Sequence, residues 1–118
     1  MIKDKYIGSF ANIDFKLGVY IFFDEGYYIA YCPSLDLTAY GETEKNAKDD
    51  FKYQIKEYFN YTIENGTLDE DLRKHGWKIN QKEVKSPTVE FMVKSNNEFK
   101  DILENKEYNK YNETFAFA

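Results

Sequence analysis

The chain has one cysteine and one histidine, and these two scarcities remove much of the chemistry a small protein can carry. A single thiol, Cys32, cannot close an internal disulfide, so the sequence suits a reducing compartment. Its neighbours supply no base or positive charge that would activate it as a nucleophile. A single imidazole, His75, has no second ligand or nucleophile at readable spacing and so makes neither a zinc set nor a catalytic dyad. It stands between Lys74 and Gly76 at the end of a short helical segment, where a cation meets the negative end of the helix dipole. There are only two prolines, Pro33 and Pro87, and each lacks an amide donor and marks a break. A glycine-rich phosphate loop, a zinc spacing and a nucleophile elbow are all missing. No run is long and apolar enough for a membrane span or a signal sequence, so the expectation is a cytoplasmic chain that uses no membrane and no cofactor.

Aromatic residues, by contrast, are plentiful. They make up 19% of the 118 residues, with 11 tyrosines and 10 phenylalanines, enough to exclude disorder and to fill one core. The net charge is -5, which argues against binding by phosphate neutralisation, so no nucleic-acid partner is expected. Such a charge suits a basic partner, and most of the acidic excess falls in residues 1–66.

Hydrophobic periodicity divides the chain into elements. From Ile13 the odd positions Phe15, Leu17, Val19, Ile21 and Phe23 are apolar, the pattern of a long half-buried strand. Asp24-Glu25-Gly26 is a tight connection, so this strand and Tyr27–Cys32 form a predicted antiparallel hairpin. Leu37–Tyr40 is the third strand. From Glu44 the apolar spacing changes to three and four residues through Ala47, Phe51, Ile55 and Phe59, which predicts one amphipathic helix ending at Asn65-Gly66. A short second helix follows from Thr67 to Gly76, then a strand from Trp77, Ile79 and Val84. Val89, Phe91 and Val93 alternate as a strand does, and strand is favoured there over a helix begun at Pro87. Asn97 caps a third helix carrying Phe99, Ile102 and Leu103. The alternating tail Phe115-Ala116-Phe117-Ala118 is either a terminal strand or an arm onto a neighbouring subunit.

The segment Tyr27–Ala47 carries a recognisable order: strand, proline corner, short strand, glycine corner, helix start. Tyr28, Ala30, Pro33 and Leu35, followed by Gly41, Glu42, Thr43 and Ala47, resemble the HicB family, the antitoxin half of the HicA/HicB toxin–antitoxin pairs. Two positions depart from that family's pattern. Asn46 stands where a glutamate is usual, and Asp36-Leu37-Thr38 follow P-x-L where a glycine is usual. The resemblance spans about residues 13–65, with a C-terminal extension over about 77–118, and implies one HicB-like domain over 1–118. It implies an α+β fold in which a three- to four-stranded antiparallel sheet packs on one long helix, with further strand and helix elements towards the C-terminus. It also implies a non-enzymatic protein that binds and occludes a small basic HicA-type ribonuclease toxin. The alternative is a stand-alone oligomeric scaffold or small-ligand binder.

Surface chemistry refines these expectations. Many HicB proteins end in a DNA-binding segment, whereas residues 86–118 here are aromatic, neutral to acidic, and lack a basic reading helix. Lys45, Lys48, Lys52 and Lys56 form a basic row on the long helix, interleaved with acids as on a solvated face. Asp49 and Asp50, on the same helix, are the expected partner surface. Asp14 and Asp36 are the strand or corner acids that could converge with them in a metal cluster, and solvated charge is the better account. A homo-oligomer, most simply a dimer, is expected from the tyrosine-rich surface, with a sheet edge and residues 108–118 as contacts.

Overall fold

A computed structural model describes residues 14–80 and 83–116; Ile13, Phe117 and Ala118 lie outside the described residues. The fold is α+β. Strands β1 (Asp14–Asp24), β2 (Tyr27–Cys32) and β3 (Leu37–Gly41) lead into the long helix α1 (Glu44–Glu64) and the short α2 (Leu68–Lys74). A two-strand ribbon of β4 (Lys78–Ile79) and β5 (Val84–Lys85) follows, then α3 (Val89–Ser95), α4 (Asn97–Asn105) and β6 (Tyr108–Ala116). The main sheet is antiparallel with order β3-β2-β1-β6. Phe115 and Ala116 of the alternating tail thus belong to a strand of the chain's own sheet, β6, in which Phe115 lies opposite Phe15 and Tyr111 opposite Val19.

Strand alternation sends the odd residues of β1 to one face, where Phe15, Leu17, Val19 and Ile21 meet Phe51, Ile55 and Phe59 of α1 in one core. The even residues Tyr20 and Phe22 are also buried, against Met92, Phe99 and Ile102. So β1 is covered on both faces over its second half, and not half-buried throughout as its pattern suggests. Trp77 closes the first core from the side: its ring packs on Phe15 and its indole N–H donates to the carbonyl of Ser34 at 2.7 Å.

Residues 89–95 are helix rather than the favoured strand. Thr88 decides the matter, because its hydroxyl accepts the Phe91 amide at 3.1 Å and caps a first helical turn. The residue this helix buries is Met92, whereas Val89 and Phe91, two of the three residues of the expected strand face, are exposed. The cap of α4 is Asn96, one residue before the expected Asn97, with its side-chain oxygen accepting from the Phe99 amide at 3.0 Å.

Candidate functional site

The motif residues form two corners that fix how α1 crosses the sheet. Ala30 lies opposite Ala39, and both are fully buried together with Ala47 of α1. These small side chains let the first turn of the helix come down close to the sheet. Gly41 completes the approach: a Cβ there would stand 2.3 Å from the amide nitrogen of Ala47. Thr43 then caps α1, its hydroxyl accepting the Asn46 amide at 3.0 Å. Asn46 leaves the reciprocal half of a capping box unfilled, and the cap forms without it. Glu42 is exposed between these two residues.

The other corner, Pro33 to Asp36, holds Leu35 in the core at 2% exposure. Asp36 has φ +54°, the left-handed backbone that a glycine would adopt most readily. The carboxylate compensates by accepting the Tyr31 hydroxyl at 2.8 Å, and that hydroxyl accepts in turn from the side-chain amide of Asn96 at 2.7 Å. Burial pushes the pKa of Tyr31 well above its ordinary value, so it remains a proton donor to Asp36. We expect Asp36→Ala to cost about 1–3 kcal/mol, because it leaves a buried hydroxyl without its acceptor. Asp36→Gly should recover about 1 kcal/mol of that loss by removing the Cβ from a left-handed residue. Equal urea midpoints for the two variants would show that the backbone at 36 is unstrained.

This network forms one wall of a cleft of about 390 Å³, lined also by Lys74, His75, Phe91 and Glu98. His75 caps the C-terminus of α2, with Nδ1 2.9 Å from the carbonyl oxygen of Asp71. Tyr28 sits on the α1 side of the sheet, edge-on to Phe23. Cys32 is fully buried in the first core, and burial pushes its thiol up to about 11, which suppresses the thiolate. Among the described residues no three His, Cys, Asp or Glu side chains are grouped to hold a metal. No helix among them is long and apolar enough to cross a membrane.

Asp49 and Asp50 diverge. Asp49 is exposed and paired with Lys45 at 2.8 Å, which holds its carboxyl below the usual range. Asp50 accepts the Tyr40 amide at 3.1 Å and so ties the outer edge of β3 to α1. An exposed stripe of α1 continues from Asp49 through Tyr53, Glu57, Tyr61 and Glu64. Of the basic row, Lys48 turns to the β6 side, where it lies over the ring of Tyr111. Sequence analysis missed Tyr31, Asn96 and, beyond Asp49, this stripe. The Tyr31–Asn96 pair joins positions 65 residues apart and has no local signal, whereas the stripe could have been found from the helical spacing of Tyr53, Glu57 and Tyr61. Comparisons with family models, curated proteins and solved structures find no match for the chain.

Proposed function

We propose that the chain is a non-enzymatic, HicB-like interaction module whose α1 face binds and covers a small basic protein of the HicA type. The observation that carries this is the outward stripe of α1. Tyr53 and Tyr61 are 59% and 68% exposed, and the exposed carboxylates of Glu57 and Glu64 accompany them on the stripe, while Asp49 at its start is paired with Lys45. Tyrosines of this kind serve as rigid anchors in interfaces, and surrounding charge of one sign steers an oppositely charged partner. The left-handed corner at Asp36 supports the resemblance separately, since it keeps the backbone that the family's glycine would provide.

Co-expression with the product of the adjacent gene, expected under this proposal to be a small basic protein, tests the proposal. Tyr61→Ala should weaken the complex by at least ten-fold, the cost of about 1.4 kcal/mol or more at an anchor position. Glu57→Lys should slow association and make it less sensitive to salt. Reversal of Asp50 is a poor probe, because it also frees the β3 edge. If no basic protein co-purifies, or if the Tyr61 variant binds as the parent does, the proposal fails.

A further inference from the structure

We infer that the opposite face of the molecule holds a binding site for a compact oxyanion of the phosphate type, in the cleft between the β1–β6 pair and the segment leading into α3. The inference is independent of the role given to α1. Lys16 on β1 and Lys110 on β6 line this cleft of about 190 Å³ together with Ser86 and Asn112. Register places both lysines on one face of the sheet, since Lys16 lies opposite Thr114 and Lys110 opposite Tyr20. Gly18 and Asn112 form the pair between them.

Lys110 is held in place. Its stem crosses Gly18, where an added Cβ would meet the lysine Cε at 3.2 Å, and its ammonium lies 5.8 Å from the centre of the Tyr20 ring. The glycine thus gives room for the lysine to lean along the sheet towards the Lys16 end. No carboxylate lines the cleft, although the chain has 21 acidic residues against 16 basic ones. Among the described residues neither lysine is in an ion pair. Two ammonium groups, a hydroxyl and an amide make a set rich in hydrogen-bond donors, the chemistry that receives an oxyanion.

The size of the cleft narrows the ligand. Drug-sized ligands occupy pockets of roughly 300 Å³ or more, so this cleft suits a phosphate group bearing a few further atoms. Pro87 and Met92 supply an apolar wall for those atoms. Free phosphate and a small phosphate monoester share the chemistry, and separate titrations distinguish them.

The test is an amide-shift NMR titration of the intact chain with inorganic phosphate, with glycerol 3-phosphate and, at matched ionic strength, with sodium chloride. Saturable shifts centred on Gly18 and Asn112 are expected with the phosphates and not with chloride. A tighter fit to glycerol 3-phosphate assigns the site to monoesters, and the reverse order assigns it to the free ion. Lys110→Met and Lys16→Met should each weaken binding about five-fold or more, and Lys52→Met on α1 should leave it unchanged. Gly18→Ala, which displaces the Lys110 stem while keeping both charges, should also weaken it. The inference is overturned if chloride reproduces the shifts, if they do not saturate, or if both lysine variants bind as the parent does while keeping its circular dichroism spectrum.

Discussion

Replacing Phe59 by alanine should lower the unfolding free energy by on the order of 3–5 kcal/mol, the range for removing a buried aromatic ring that its surroundings cannot refill. Phe59 is fully buried on the inner face of α1 and joins three elements. Its ring stacks on Phe115 of β6 with centroids 4.2 Å apart and packs on Phe15 of β1 at 5.1 Å. Collapse into the gap would have to move a helix and two paired strands together, which favours the upper part of the range. Since domains of this kind are stable by only about 5–15 kcal/mol, a large share of the total is at stake. Urea unfolding followed by circular dichroism measures the effect, and a midpoint close to that of the parent would mean that this cluster does not hold α1 to the sheet.

Gly41→Ala should be nearly as damaging, at about 3 kcal/mol, the upper end of the usual cost of overpacking. Glycine is needed at this corner for space rather than for its conformational freedom. The new methyl would meet the Ala47 amide nitrogen at 2.3 Å and the Asn46 carbonyl carbon at 2.6 Å, atoms that no rotamer change can move. Relief requires the first turn of α1 to lift from β3, which strains both the Thr43 cap and the Asp50 link to Tyr40. Unfolding of the variant should therefore begin with loss of amide-exchange protection at Tyr40 and Ala47. Unchanged protection and stability would show that the corner has slack.

Where a signal was local and periodic, the sequence disclosed it. The alternation from Phe15 to Phe23, the change of spacing after Thr43 and the Asn65-Gly66 stop correspond to β1, α1 and the end of that helix. Residues 89–93 misled because their alternation is also compatible with one and a half helical turns, and the Thr88 cap outweighs it. The double cover of β1 was hidden for another reason. Tyr20 and Phe22 are as apolar as residues on a half-exposed face can be, and only the return of α4 shows that they are buried. At the candidate site the acidic residues of α1 were visible, but their division was not. That Asp50 serves the β3 edge depends on where Tyr40 lies, which no spacing within the helix reveals.

The pairing of β1 with β6 has a consequence in time. A ribosome adding about 5–20 residues per second completes the first hairpin and α1 several seconds before it reaches Tyr108. Throughout that interval β1 has β2 on one side and, among the described residues, no partner strand on the other, so the backbone N–H and C=O groups beside Leu17, Val19 and Ile21 are open. An unpaired apolar edge is a template for other chains, so nascent copies on one messenger are exposed to mispairing with each other until the last strand arrives. A chain cut short before Tyr108 would keep that edge permanently and should be recovered in inclusion bodies rather than as a smaller folded protein.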